Sequence, residues 1–526
     1  MNAALSRGFA ARKRKWAVER RAVLRLTGAM GMRFNRRGFV AALLSGVAAP
    51  AFAGAPARSD RPSPRGAGGG SVARRPKSTE RILAEAGLSG AVGFVVADAK
   101  TGLVLESVGA SASLPPASVA KAMTGAYALE TLGSEFTFKT RIFARGSVSG
   151  GILSGDLIFA AGGDPVLNTD HLGEMAAQLK ARGIREVRGK FLVYGGALPR
   201  VDKIDKSQQD HFGYNPTISG AVLNFNRVHF QWKRSGGAWN LTMDARARRY
   251  QPQVAMAQIS VAERSTPVFD YRDGGNVDRW RVASRALGNG GARWLPVRKP
   301  ELYIGDVFRT LARSHGIVLP AAQAGSRKPS GTVLVQRDSP PLRILVRDML
   351  KYSTNITAEV VGMTATIKRK GQVSGLRASA SEMNRWARSR FGVRAELVDH
   401  SGLGDASRIT AADMVKTLVA LGPQGRLASL MKDIPMRNAE YQVIKGDPNK
   451  VRAKTGTLHF VSSLAGYQRA PDGTDLAFAI FCADVPLRKK TANANGDRPR
   501  GARTYNGRAK RLQQRLLRRW GQLYGA

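Results

Sequence analysis

Three short clusters of hydroxyl, amine and amide side chains stand out along the 526 residues: Ser118-Val119-Ala120-Lys121, Ser353-Thr354-Asn355 and Lys454-Thr455-Gly456-Thr457. In the first, Pro115-Pro116 stops whatever precedes, and a run of helix-tolerant residues follows through Leu132, so the pattern predicts Ser118 in the first turn of a helix. Lys121 then lies one turn on, on the same face. A hydroxyl beside an amine at a helix N-terminus can make a nucleophile. The amine takes the serine proton, and the unpaired N–H groups favour developing negative charge. The same residues also fit a capping serine beside a solvated lysine, and the spacing alone does not separate the two readings.

The other clusters are weak singly. Lys100-Thr101-Gly102 is a second Lys-Thr-Gly, ahead of the serine, in a predicted hairpin turn where glycine supplies the turn geometry. The later copy is expected at the start of a strand that pairs with its neighbour. The single cysteine, Cys482, follows the apolar run Leu476–Phe481, which predicts a buried structural thiol. It excludes an intramolecular disulfide and a cysteine-based metal site.

The elements that position these clusters can be read in order. A short amphipathic helix is expected at Thr79–Ala86, and two strands, Ala91–Ala97 and Leu103–Val108, about the Asp98–Gly102 turn. After the helix carrying Ser118 the texture changes near Phe136 to strands and turns, with β-rich material to about Leu287. Helices are expected at Ile304–Ser314, Leu342–Lys351 and Ala411–Leu421, with a strand at Thr332–Gln336. Two strands, Leu458–Tyr467 and Leu476–Ala483, are joined by the Pro471-Asp472-Gly473 turn. A basic C-terminal helix, Arg508–Tyr524, carries Leu512, Leu516, Trp520 and Leu523 at helical spacing, a face expected to pack on the sheet.

The N-terminal residues bear on compartment. Asn35-Arg36-Arg37-Gly38-Phe39-Val40, the small apolar run Ala41–Ala49 and Ala51-Phe52-Ala53 read as a twin-arginine export signal cut after Ala53, which predicts a periplasmic protein. The expected start of translation is Met30 or Met32, with a long basic leader from Met1 as the alternative. Residues 54–77, rich in Pro, Gly, Arg and Ser, read as a disordered linker.

The chain carries 83 Lys and Arg against 38 Asp and Glu, a net charge of +45. Residues 1–53 hold 11 of the basic residues against the single Glu19, which leaves +35 for the rest. Such a surface attracts polyanions, whether nucleic acid, anionic lipid or an anionic wall polymer. The export signal and the lack of a recognisable binding module argue against nucleic acid.

Taken together and in order, Ser118-x-x-Lys121, Ser353-x-Asn355 and Lys454-Thr455-Gly456 resemble the motif set of the serine penicillin-recognising enzymes. The separation of 235 positions from Ser118 to Ser353 narrows the resemblance to the low-molecular-mass class C penicillin-binding proteins, the D-alanyl-D-alanine carboxypeptidase/endopeptidase family, which insert extra domains there. It extends over about Thr79–Tyr524. It includes Gly162-Gly163-Asp164-Pro165, Ala221-Val222-Leu223-Asn224-Phe225-Asn226, Ser401-Gly402-Leu403 and Ala465-Gly466-Tyr467.

The resemblance implies an α+β fold: a serine β-lactamase/DD-peptidase-like domain, an antiparallel sheet flanked by helices, formed by 78–133 and 325–526. A β-rich accessory region, 134–324, is inserted after the nucleophile helix. It implies that Ser118 is the nucleophile, neutral Lys121 its base, and Ser353 a proton relay, with no metal or other cofactor. Asn355 holds the substrate amide, Lys454 and Thr455 of the Lys454-Thr455-Gly456 motif bind the terminal carboxylate, and the N–H groups of Ser118 and Thr457 form the oxyanion hole. The proximity of Lys454 is expected to keep Lys121 neutral. The implied partners are peptidoglycan stem peptides and β-lactam antibiotics, which acylate Ser118 and stay attached for lack of a glutamate to activate water. Anionic wall polymers or a membrane surface account for the charge.

The chain departs from the family at Thr354, where Asp is usual, and at His459-Phe460, where small residues are. Gly404-Asp405 stands where the family often has Ser-Arg, so Asp405 is expected to repel an acidic substrate side chain unless Arg408 swings in. Two rival readings stay open: a β-lactamase or esterase on the same fold, and a basic wall-binding protein with an inert site.

Overall fold

The structure, a computed structural model, describes residues 76–491 and 498–525. The expected export signal, cleavage site and nearly all of the expected linker lie outside the described residues.

The part that carries the site is built on a six-stranded sheet. Its order is Lys432–Asp433, Lys450–Leu458, Val461–Arg469, Asp475–Ala483, Ala91–Asp98 and Val104–Val108, each neighbouring pair antiparallel. The central strand Asp475–Ala483 is buried on both faces, which is why it reads as one apolar run and not as an alternation. Alternate residues divide two cores. Phe94, Val96, Phe478, Ile480 and Cys482 meet Leu512, Leu516 and Trp520 of the C-terminal helix, Ala502–Leu523, and Ile82 of the helix Thr79–Ala86. Val95, Ala97, Ala477, Ala479 and Phe481 meet the helices on the other side, among them Ala120–Leu132, Asn355–Lys370 and Ala411–Leu421. The result is a sheet between two helical layers. Each fully buried Val, Leu, Ile or Phe among them contributes about 1.5–3 kcal/mol.

The strand holding Lys454 differs from the expectation. Lys450–Leu458 is a strand of its own, with Lys454 at its middle, and the expected strand Leu458–Tyr467 starts only at Val461. Leu458 pairs with Val461 across the two-residue turn His459-Phe460, where Phe460 takes φ +57°. A left-handed residue suits a tight hairpin, and no Gly or Pro announces this one.

The insertion has its own core around Phe159, Leu172, Phe191, Phe230, Trp280 and Phe308. A mixed sheet runs Ala322–Gly325, Phe191–Tyr194, Ile152–Ala160, Lys139–Ser149 and Thr332–Asp338, beside two three-stranded sheets. Thr332–Asp338 pairs with Lys139–Ser149, so this sheet continues past the expected boundary at 324 as far as Asp338. The insertion also reaches back: Leu198, Ile204, Ile218 and Val222 are buried in the core beneath the nucleophile helix.

Candidate active site

Pro115-Pro116 ends the preceding chain, and Ala117, at φ +47°, turns it into a single 3-10 turn, Ala117–Val119, that runs on into the helix Ala120–Leu132. Ser118 therefore sits in the turn that leads into the helix. It caps no N–H group; its Oγ instead accepts from the Lys121 ammonium at 2.9 Å. Lys121 is fully buried, and the same Nζ lies 2.8 Å from Asn355 Oδ1 and 2.8 Å from the Ser401 carbonyl. Three acceptors thus converge on one amine from three distant stretches of chain.

The second cluster is set by the end of one helix and the start of the next. Leu342–Tyr352 stops at Ser353, which takes the left-handed conformation, φ +60°, and Thr354 is the N-cap of the helix that begins at Asn355. Such backbone is unfavourable for a non-glycine residue and persists where the surroundings enforce it. Here Ser353 Oγ accepts from Lys454 Nζ at 3.0 Å, and Lys454 also donates to the Thr455 carbonyl at 2.6 Å. Asn355 Nδ2 donates to the carbonyl of Tyr214 at 2.9 Å, so the insertion touches the site.

Gly456 explains why the third cluster needs a glycine. A methyl group there would lie 2.6 Å from the Pro116 carbonyl oxygen and 3.1 Å from the Ser118 nitrogen. The strand can pass beneath the serine only without a side chain. Gly402, at φ +72°, does the same on the other flank, where a methyl would stand 1.9 Å from the Ala117 carbonyl oxygen. The earlier copy, Lys100-Thr101-Gly102, lies in the turn between the last two strands of the sheet, with Asp98 Oδ1 accepting from the N–H groups of Lys100 and Thr101. It takes no part in the site.

Ser118, Ser353, Asn355, Thr455 and Thr457 line one cleft of about 810 Å³. The other sequence-predicted residues adjoin it: Lys121 and Lys454 are hydrogen-bonded to Ser118 and Ser353, and the Gly456 backbone passes against Pro116 and Ser118. Tyr214 and Gln208 of the insertion form part of the wall.

Burial pushes the Lys121 ammonium well below its ordinary range, against the carboxylates of Glu359 and Asp399, which favour its charge. The expectation assigned this work to Lys454. Burial does it, because the amine is sealed beneath the serine, and Lys454 is itself depressed, first by burial and then by the charge of Lys121.

Sequence reasoning missed the support beneath the lysine. Glu359, fully buried, accepts from the backbone N–H groups of His400 at 2.9 Å and Ser401 at 3.0 Å. Asp399, also buried, accepts from Gly402 N–H at 2.7 Å and from Gly404 N–H. The two carboxylates hold the loop that aims the Ser401 carbonyl at Lys121. Burial, and then the neighbouring Asp399, raises the Glu359 carboxyl well above the usual range. A signal was present: Glu359 is one helical turn beyond Asn355 and is the only charged residue between Tyr352 and Ile367.

The expectation for Asp405 is corrected. It does not line the cleft with Ser118; its Oδ1 accepts from Arg488 Nε at 2.7 Å, and Arg408 is held by the carbonyls of Asp405 and Ser407. The charge expected to repel substrate is neutralised by a buried arginine.

The chain matches the D-Ala-D-Ala carboxypeptidase 3 (S13) family over residues 76–499. It is 26% identical over 473 residues to a D-alanyl-D-alanine carboxypeptidase of Actinomadura sp. (strain R39), spanning 81% of this chain and 86% of the relative. It is 23% identical over 410 residues to the D-alanyl-D-alanine carboxypeptidase DacB of Haemophilus influenzae, 74% of this chain and 85% of the relative. The fold is that of the crystal structure of penicillin binding protein 4 from H. influenzae, with a TM-score of 0.68 at 20% identity over 84% of this chain and 100% of that one. A family match across most of the chain, on this fold, establishes that the protein belongs to the D-Ala-D-Ala carboxypeptidase 3 (S13) family, the class C penicillin-binding proteins, and is a serine-type carboxypeptidase.

Proposed function

We propose that this carboxypeptidase works through an acyl-enzyme on Ser118, acting on D-Ala-D-Ala termini of peptidoglycan stem peptides in the periplasm. The observation that carries the reading is the Lys121 amine, buried, depressed in pKa and 2.9 Å from Ser118 Oγ. Ser118 Oγ adds to the carbonyl between the two D-alanines while neutral Lys121 takes its proton. The N–H groups of Ser118 and Thr457 receive the oxyanion, an arrangement worth about 3 kcal/mol per donor. The C–N bond breaks, and Ser353, linked to Lys454, passes a proton to the leaving amine. Water then adds to the ester, the shortened peptide departs, and Ser118 regains its hydrogen. Asn355 holds the substrate amide, while Thr455 and the charge of Lys454 meet the terminal carboxylate.

A β-lactam acylates the same serine, and its amine stays tethered to the acyl group. No carboxylate lines the cleft among the described residues, which supports a persistent adduct over turnover as a β-lactamase. The periplasmic assignment rests on the signal read in residues 32–53. Release of D-alanine from a D-Ala-D-Ala-terminated peptide tests the reading: the wild type releases it, and Ser118→Ala does not. Equal release by both would refute it. N-terminal sequencing of the exported protein tests the compartment, with Gly54 expected as the first residue.

A further inference from the structure

One loop of the insertion reaches the catalytic residues, and a single buried arginine gathers that loop. Val201 and Ile218 pair as an isolated bridge, and the chain between them, 202–217, forms no helix or strand. Buried carbonyls in such a segment have no ladder to pair with and need another donor. Arg298, itself buried, supplies it: Nη1 donates to the Asp202 carbonyl at 3.0 Å and the Asn215 carbonyl at 2.9 Å, and Nη2 to the Asp210 carbonyl at 2.8 Å. One guanidinium thus ties the beginning, middle and end of the loop, which suits a planar fork of donors and not a single ammonium. Arg298 lies between the strand Gly290–Pro296 and the helix Pro300–Ser314, and its N–H donates to the buried carboxylate of Asp278 at 2.8 Å. Asn215, fully buried, braces the loop from within, Nδ2 donating to the Asp205 carbonyl at 2.7 Å and Oδ1 accepting from the Asp205 N–H at 3.0 Å.

From this loop a line of hydrogen bonds runs to the nucleophile. The carbonyl of Tyr214, the neighbour of Asn215, accepts from Asn355 Nδ2 at 2.9 Å. Asn355 Oδ1 accepts from Lys121 Nζ at 2.8 Å, and the same Nζ donates to Ser118 Oγ at 2.9 Å. The Tyr214 contact decides which way the Asn355 amide faces. A carboxamide has one donor end and one acceptor end. With Nδ2 held by a carbonyl, the oxygen is the end that meets the lysine; the reverse orientation would set an N–H group against the ammonium and one oxygen against another.

We infer that Arg298 is a positioning residue of the reaction: by holding the 202–217 loop it aims the Tyr214 carbonyl, which orients Asn355 and through it sets the Lys121 amine against Ser118. The insertion is then a working part of the catalytic machinery and not only a wall beside it. This rests on Ser118 being the nucleophile and Lys121 its base. Lys121 faces Glu359 on the helix of Asn355, Asp399 in the loop ahead of Gly402 and Lys454 on the adjoining strand, and Asp205 of the insertion loop faces Asp399 in turn. Releasing the loop removes the Asn355 acceptor and draws Asp205 away. Both changes withdraw support from the charged amine, so the limb on which activity rises with pH moves to lower pH.

The test is a double-mutant cycle on the rate constant of penicillin acylation at Ser118, followed by mass spectrometry on the high-pH plateau, with folding checked by circular dichroism. Arg298→Met removes the donors and is expected to slow acylation by about tenfold or more, the loss that a small misplacement of catalytic groups brings. Asn355→Ala slows it as well, and adding Arg298→Met to Asn355→Ala slows it no further, because the arginine acts through that amide. Arg298→Lys recovers part of the rate, and the rising limb of the Arg298→Met profile lies at lower pH than that of the wild type. Phe191→Leu, which weakens the core of the insertion without touching a hydrogen bond of the loop, leaves rate and limb in place. Should Arg298→Met fail to fold, Asn215→Asp loses the bond from Nδ2 to the Asp205 carbonyl and reads the same device, with the same rate loss, limb shift and dependence on Asn355 expected. Acylation of the folded variant at the wild-type rate, or a loss that multiplies with that of Asn355→Ala, overturns the positioning role. Failure of the wild type to be acylated at Ser118 overturns the reading of Ser118 instead, so the two failures are distinct.

Discussion

Asp405 and Arg488, 83 residues apart, form an ion pair at 2.7 Å whose arginine is nearly buried while the aspartate is partly exposed at the rim of the site. The pair reverses the reading of Asp405 made from sequence. An acid in the loop after Ser401-Gly402-Leu403 looks repulsive to an acidic substrate until its partner is seen, and then the loop is electrically neutral and tied to the helix Val485–Lys490.

Asp405→Arg therefore sets a second cation against Arg488 and leaves the buried guanidinium unpaired. The expected result is a less stable protein, by on the order of 2 kcal/mol, measured as a lower midpoint in denaturant. A variant as stable as the wild type would show that the ion pair contributes nothing to folding.

The lysine base sets the pH dependence. Only neutral Lys121 can accept the Ser118 proton, so kcat/KM rises with pH through its depressed pKa, well below the value near 10.4 of a solvated lysine. The Glu359 carboxylate favours the charged amine. Glu359→Gln removes that charge, and the rising limb is expected to move to lower pH, with a lower plateau because the Ser401 loop is less well held. A limb that stays in place, or moves to higher pH, contradicts the coupling of Glu359 to Lys121.

The two Lys-Thr-Gly copies are expected to respond differently. Lys100→Ala alters an exposed turn and leaves kcat/KM nearly unchanged, whereas Lys454→Ala removes the partner of Ser353 and lowers it by about a hundredfold or more. Gly456→Ala is expected to be as damaging as Lys454→Ala, because its methyl group meets the Pro116 carbonyl at 2.6 Å. D-alanine release by the three variants checks this, and equal losses at Lys100 and Lys454 would contradict it.

The sequence made the reactive clusters legible because each is a short local pattern: a proline stop before Ser118, Ser353-Thr354-Asn355 just after an expected helix, and Lys454-Thr455-Gly456 on a strand. The helix packing of Leu512, Leu516 and Trp520 on the sheet was also readable from their spacing. What could not be read depends on partners distant in the chain. Periodicity marks Thr332–Asp338 as a strand but does not say that it pairs with Lys139–Ser149. Glu359 reaches His400 and Ser401, and Arg488 reaches Asp405, only once the fold has formed. The turn at His459-Phe460 was hidden because a phenylalanine occupies a backbone position that glycine or asparagine usually announces.

The most direct measurement is covalent. The protein is treated with a penicillin, digested, and the modified peptide identified by mass spectrometry, with Ser118→Ala and Lys121→Ala treated alongside. The account predicts one penicilloyl group on Ser118 in the wild type, none in Ser118→Ala, and acylation slowed by at least about a hundredfold in Lys121→Ala, the loss of a general base. An adduct on another residue, or one that persists in Ser118→Ala, would contradict the assignment of Ser118 as the nucleophile.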